Sequence, residues 1–351
     1  MQAVTIKNNQ AGQRLDKFLH KFMPEAGKGF LYKMLRKKNI TLNGKRAEGS
    51  EILVLGDTVS FFFSPETFVK MTGTSLPKCT ADGDVTERNP EKDAAAKYTL
   101  AYHTLSDSGI AILYEDNNIL IADKPAGVLS QKAAESDISL NEWLIGYLLE
   151  KECFSVDELR TFKPSVCNRL DRNTSGIVLC GKSLAGSQYL SRNIKEKHIR
   201  KLYRTICVGE ITRETILRGY LKKDSAKNKV TVSRTPDATG GTGFIQNYIE
   251  TVCRPLAVSG GYTLLEVNLI TGKTHQIRAH LADIGHPLIG DAKYGDSRTN
   301  RLMRERYDLQ YQLLHAYMTE LPAEDTEGGA KVICAPYPKV FLDIMEDLHL
   351  C

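Results

Sequence analysis

The sequence predicts an α+β protein in two parts, a small N-terminal module and a larger body built on a mixed sheet. Three observations predict it. A chain of 351 residues is too long for one small module and suits two domains. Residues 13–63 hold two short amphipathic helix patterns followed by short strand patterns. From about residue 109, strand patterns alternate with helical ones, as in a sheet with helices packed against it.

Composition removes several function classes. Hydrophobic residues at 42% and charged residues at 25% are ordinary for a globular protein with a substantial core. No window approaches the roughly 18 uninterrupted apolar residues of a membrane helix, so no membrane association is expected. The start, Met1 to Lys7, lacks the charged n-region and apolar run of a signal peptide, so a cytoplasmic location is expected. The eight cysteines include no C-x-x-C pair, which argues against a zinc ribbon or a dithiol redox site.

In the N-terminal module, Leu15, Phe18, Leu19 and Phe22 put one apolar stripe on a helix that Pro24 stops. Phe30, Leu31, Met34 and Leu35 mark a second helix carrying Lys33 and Arg36, with Lys37 and Lys38 after it. Ile40-Thr41-Leu42 reads as a strand and Asn43-Gly44 as a tight turn, with a last strand near Val59 to Phe63. Residues 1–65 carry eleven Lys/Arg against five Asp/Glu, while residues 66–108 carry five against seven. A basic module on a nearly neutral body suits an anionic partner, although a solvated face would give the same count. Residues 66–108 are polar and lack apolar periodicity, and read as a flexible linker with room for a short helix over Ala94-Ala95-Ala96.

The body, residues 109–351, begins with strands over 110–114 and 119–122, joined at Asp116-Asn117-Asn118. A helix is expected over 140–149 and another over 184–196, with strands near 177–180, 201–208, 262–270 and 332–335. No internal repeat is present.

Three segments carry candidate chemistry. Asn168-Arg169-Leu170-Asp171-Arg172-Asn173-Thr174-Ser175-Gly176 sets a carboxylate between two arginines, just ahead of an apolar strand. A cationic setting keeps an Asp ionised, which suits a nucleophile or a general base; a structural ion pair would need the same residues. Thr271-Gly272-Lys273-Thr274-His275-Gln276-Ile277-Arg278-Ala279-His280-Leu281 follows a strand and is too polar for plain packing; Gly285 to Gly295 follows closely. His275, His280 and His286 lack the i, i+4 spacing and intervening Glu of a zincin helix, so no metal is expected. Arg200-Lys201-Leu202-Tyr203-Arg204 alternates so that Lys201 and Tyr203 share a strand face, where Tyr203 is either a core aromatic or a site residue.

Together these segments closely resemble the RluA-type pseudouridine synthases, the branch that largely modifies large-subunit ribosomal RNA and some transfer RNA. The resemblance rests on Arg169 to Gly176, Thr271 to Leu281, Gly285 to Gly295, Asp123 to Gly127 and Leu314-His315-Ala316, in the family's order over residues 109–345. The stretch Leu31 to Lys45 resembles the alpha-L RNA-binding fold, also called the S4 domain, which often precedes this domain in the family. One departure is visible: many members carry His before Arg-Leu-Asp, where this chain has Asn168.

The resemblance implies a mixed, mainly antiparallel sheet, a cofactor-free isomerisation of uridine, and an RNA partner. That partner would be 23S ribosomal RNA first and transfer RNA second; a monomer is the default expectation. It implies Asp171 as the essential residue, Arg278 as its ion-pair partner and Tyr203 stacked on the flipped base. Arg169, Arg172, Lys201, Lys273, His275, Gln276 and His280 are substrate-side candidates; Lys33, Arg36, Lys37 and Lys38 would meet RNA phosphates. A non-catalytic ribosomal RNA-binding or assembly factor is the reading from another class, and loss of Asp171 or Arg278 would have pointed to it.

Overall fold

Short amphipathic segments build the N-terminal body. In this computed structural model, which describes residues 1–73, 90–224, 229–235, 247–323 and 330–351, it begins with β1 (Gln2–Thr5), α1 (Leu15–Phe22) and α2 (Lys28–Arg36). There follow β2 (Ile40–Leu42), β3 (Lys45–Arg46), β4 (Thr58–Phe61) and α3 (Pro65–Thr72). The strands form one sheet in the order β1-β4-β2-β3. Phe18, Leu19, Leu31, Leu35, Val59 and Phe61 fill the core beneath it. Asn43 and Gly44 take φ of 50° and 72°, the left-handed pair that a two-residue hairpin turn requires. The Asn43 amide also bonds Asp57 and the Thr58 amide, which fastens the hairpin to β4.

The segment expected as a flexible linker needs correction. Ser64 caps α3 by accepting from the Thr67 amide, Pro65 opens it, and Phe68 and Met71 pack on the N-terminal core. That body therefore runs beyond residue 65. A second helix, α4 (Pro90–Thr104), covers the alanine run and lies against the larger body. Apolar anchors that lack regular spacing escaped the periodicity argument. Residues 74–89 of the expected linker lie outside the described residues.

The larger body continues with β5 (Ala111–Glu115), β6 (Ile119–Lys124), α5 (Leu140–Glu150), β7 (Ser165–Val166), β8 (Ser175–Gly181) and α6 (Leu184–Lys195). Next come β9 (Arg200–Val208), β10 (Thr215–Asp224), β11 (Lys229–Ser233), β12 (Tyr248–Ser259) and β13 (Tyr262–Leu269). It closes with α7 (Gln276–Asp283), α8 (Ser297–Tyr307), β14 (Leu314–Leu321), β15 (Lys331–Cys334) and α9 (Lys339–Asp347). The helix α5 fits tightly under α4, since a Cβ on Gly146 would overlap the Tyr98 carbonyl.

The sheet runs β11-β10-β12-β13-β9-β14-β8-β6-β5, with β15 on β14 and β7 on β8. It is mixed and mainly antiparallel, as expected. Its parallel step joins β14 to β8, with His315 beside Ser175 and Ala316 beside Gly176. Two antiparallel half-sheets thus meet at one seam in the middle. Gly176 makes that seam fit: its φ is 107°, and a Cβ there would collide with the Ala316 backbone.

Side-chain hydrogen bonds link the two bodies. Asn9 donates to Glu158 at 3.1 Å and Gln10 to Thr161 at 3.0 Å. Arg160 donates to the Thr72 carbonyl at 3.4 Å.

Candidate active site

Asp171 sits in the loop that leads into β8 at the seam. Its backbone is held on both sides. Ser130 exchanges two bonds of 3.0 Å with the amide and carbonyl of Leu170. The Gly127 amide donates to the Arg172 carbonyl at 2.9 Å, and Arg172 Nε returns a bond to the Gly127 carbonyl at 3.0 Å. The Thr174 amide closes the turn onto the Asp171 carbonyl at 3.0 Å.

Lys124 ties these strands of loop together. Its nitrogen is fully buried and donates to the carbonyls of Pro125, Val128 and Arg172 at 3.0, 2.8 and 3.1 Å. Burial pushes its pKa down to about 7, against the pull of Asp171 and Asp123. Three carbonyl acceptors are satisfied only by the three donors of the ammonium form, so the geometry favours the charged state. A loop fixed this way holds Asp171 in place without help from a ligand.

The side chain of Asp171 meets α7. Arg278 Nη1 donates to Asp171 Oδ2 at 2.8 Å. The rest of the guanidinium is spent elsewhere: Nε and Nη2 fork onto the two oxygens of Asp291 at 2.7 and 2.8 Å. Asp291 has no exposed surface and also accepts from the amides of Lys293 and Tyr294. Burial works against both charges. It is outweighed at Asp291, whose pKa is lowered by Arg278 and the two amides, and at Arg278, whose pKa is raised by Asp291 and then Asp171. Asp171 is the exposed member of this trio, its side chain 25% accessible against 7% for Arg278. Oδ1 of Asp171 has no hydrogen-bond partner among the described residues.

Tyr203 approaches from the sheet. It lies on β9, paired with Val267 of β13 and Ala316 of β14, one strand from the seam. Burial, with the Asp171 charge adding to it, raises its pKa, so the phenol stays neutral. His275, at the start of α7, takes φ 55° and ψ 17°, a left-handed conformation that costs a non-glycine residue about 1 kcal/mol or more. It places Nε2 3.8 Å from Asp171 Oδ2.

The geometry thus brings together Asp171, Arg278, Tyr203 and His275, and separates other candidates from them. Gln276 is buried and fully engaged: it accepts from Thr271 and the Lys273 amide, and donates to the Glu250 carbonyl and Thr251. It fastens α7 to β12 and offers nothing to a substrate. His280 is likewise buried, bonded to Thr251 at 2.8 Å, and burial lowers its pKa to about 4. Both lie against β12, in a helix whose residues from Gln276 to Leu281 are all buried. Arg169 and Lys273 are exposed. Arg172 is exposed too, with its Nε on the Gly127 carbonyl. Lys201 lies on the Tyr203 side of β9, and burial lowers its pKa. Lys33, Arg36, Lys37 and Lys38 are exposed at the end of α2 on the other body. Asn168 accepts from the Leu179 amide at 2.7 Å, a bond that helps hold the loop beside β8.

Asp291 and Tyr294 were missed as site residues although their segment was singled out. The signal was the Gly290-Asp291 pair: Gly290 has φ 75°, and a Cβ there would strike the Tyr311 carbonyl, so the chain turns sharply where the buried acid must point inward. Among the described residues, no group of three or more His, Cys, Asp or Glu side chains could hold a metal ion.

An ionised carboxylate with one oxygen tied and one free, beside a buried aromatic ring, can serve as a nucleophile or a base. Residues 118–283 match the family described as RNA pseudouridylate synthase. Ribosomal large subunit pseudouridine synthase C of Rickettsia bellii is 28% identical over 309 residues, spanning 88% of this chain and 89% of the relative. Its namesake in Vibrio cholerae is 26% identical over 322 residues, 90% of this chain and 87% of the relative. The solved structure of human RNA pseudouridylate synthase domain containing 4 has the same fold, with a TM-score of 0.54 at 19% identity over 72% of this chain and 97% of that one.

Proposed function

We propose that the chain is an RNA pseudouridylate synthase, on the match of residues 118–283 to that family, and that it isomerises uridine to pseudouridine in 23S ribosomal RNA. The reaction breaks the bond between N1 and the sugar carbon, turns the base, and rebonds that carbon to C5. The C5 proton leaves and N1 gains one, so no redox partner is consumed. The observation that carries the site assignment is the Asp171–Arg278 pair at 2.8 Å, which leaves the other Asp171 oxygen free. That oxygen either attacks the sugar carbon or takes the 2′ proton; both routes need the same ionised group. Tyr203 supplies a flat, neutral ring for the flipped base, and flipping costs a few kcal/mol. Retention of both Asp171 and Arg278 speaks against the non-catalytic RNA-binding factor.

The relatives named for the large ribosomal subunit support ribosomal over transfer RNA. The two-helix module with its exposed basic end supports an alpha-L RNA-binding domain over residues 1–72, acting as a phosphate-binding surface. Among the described residues, no helix is long and apolar enough to cross a membrane.

The test is tritium release from carbon-5-labelled uridine in unmodified large-subunit ribosomal RNA. Asp171→Asn keeps the shape but loses the charge. It is expected to fold and bind RNA while release falls to background. Substantial release by a folded Asp171→Asn would refute the assignment.

A further inference from the structure

The ring nitrogens of His275 have unequal surroundings. Nδ1 lies 3.0 Å from the Tyr294 hydroxyl. That hydroxyl already accepts the Val230 amide of β11 at 2.9 Å. A phenol has one proton to give and lone pairs to receive. With the Val230 N–H on its oxygen, its own proton has one acceptor in reach among the described residues, the lone pair of Nδ1. An Nδ1 that accepts carries no proton, so the neutral ring bears its hydrogen on Nε2. Nε2 points at Asp171 Oδ2 from 3.8 Å, too far for a direct bond, and has no other partner among the described residues. A donor is thus held ready beside the reacting carboxylate and left unused.

We propose that His275 is a substrate-positioning residue, fixed as its Nε2–H tautomer by Tyr294 and the edge strand β11, and that this N–H donates to an oxygen of the target nucleoside as it docks on Asp171. The inference rests on reading the site as that of a pseudouridine synthase. The left-handed backbone at His275 fits such a role, because strain persists where the surroundings impose one placement. The ring is also kept neutral. Burial is the largest influence and lowers its pKa; Asp171 and Asp291 pull the other way, and Arg278 and Lys293 add to the lowering. Tyr294 is itself held in place, its ring under Lys229 at 4.9 Å and beside Arg278 at 5.2 Å. Removing its hydroxyl would leave both of those contacts.

The test has two arms. In the first, the RNA-free protein is labelled with ¹⁵N-histidine and the His275 resonances are assigned by their loss in His275→Gln. The expected pattern near neutral pH is a protonated Nε2 and a bare Nδ1, changing to a mixture or to Nδ1–H in Tyr294→Phe. A charged or Nδ1–H ring in the wild type, or an unchanged pattern in Tyr294→Phe, overturns the proposal. In the second arm, His275→Ala is expected to lower kcat about tenfold, the worth of one lost hydrogen bond, with RNA Kd little changed. His275→Gln, whose amide nitrogen reaches the Nε2 position, is expected to recover most of that loss. Equal loss in Gln and Ala, or none in Ala, overturns it as well. The first arm needs no RNA and stands even if His275→Ala does not fold. Inactivity of the wild type on uridine-containing RNA would instead overturn the proposed function.

Discussion

Asp291→Asn isolates what holds the Asp171–Arg278 pair together. Asp291 accepts two bonds from Arg278 at 2.7 and 2.8 Å and two from backbone amides at 2.9 and 3.1 Å, with nothing of it exposed. Asparagine keeps the volume but removes the charge and one acceptor, and turns an NH₂ toward the guanidinium or the amides. Breaking a buried ion pair from one side costs about 3–5 kcal/mol. Arg278 keeps Asp171, so the loss falls toward the lower end. At about 2 °C per kcal/mol for a body of this size, the melting temperature drops by about 6 °C. Activity falls further than stability, because an unforked guanidinium no longer aims Nη1, and misplacement by about 1 Å can cost roughly a hundredfold in rate. The sign with pH follows from the lowered pKa of Asp291. Its contribution is fully present above the ordinary carboxylate value, about 3.9, and is lost as pH falls through the lower folded value. The melting gap between wild type and variant is therefore flat from pH 8 to about pH 4 and narrows below it. Thermal melts across pH and tritium release on the same preparations check both halves. An unchanged melt with normal release would refute the claim that this fork positions Arg278.

Arg278→Lys is expected to recover little of the activity lost in Arg278→Ala, since an ammonium cannot fork onto Asp291 and still reach Asp171; near-normal tritium release would refute this. Replacing Lys33, Arg36, Lys37 and Lys38 with Gln removes up to four phosphate contacts, each worth about 0.7–0.9 in the slope of log affinity against log salt, so the slope falls by about 3. An unchanged slope in filter binding would remove α2 from the RNA surface. Gly176→Ala combines a forbidden φ with a collision against Ala316, and is expected to cost about 4 kcal/mol or more and yield little folded protein. A soluble variant melting like the wild type would contradict the fit described for the seam.

The parts of this molecule legible in sequence are those with local causes. Helices α1 and α2 announce themselves by apolar spacing, the β2–β3 hairpin by Asn43-Gly44, and β5, β6, β8 and β9 by short apolar runs. The long pair β10 and β12 was missed. Its residues alternate with Arg, Lys, Thr and Glu; Leu217 and Cys253 join a core assembled from distant segments, while Ile216, Leu256 and Val258 are exposed. The helix α8 was missed because it is nearly all polar, with Met303 its one buried residue. At the site, the motifs singled out Asp171, Arg278 and Tyr203, and the fold brings them together. The sharing of Arg278 between two acids was not, because the sequence places Asp291 thirteen residues from Arg278 and 120 from Asp171 without saying which one it faces.

A carboxylate tied through a single oxygen has a bearing as well as a position. One lone pair of Asp171 Oδ2 receives Arg278 Nη1, so on the proposed reading reaction is favoured along the side of Oδ1. A ribose at the right distance but rotated about its own axis would meet the occupied oxygen and stay inert. On the proposed reading, discrimination is then a matter of approach angle. A backbone shift of a few degrees in the loop stitched by Lys124 and Ser130 would be read as lost turnover while the RNA remained just as tightly bound.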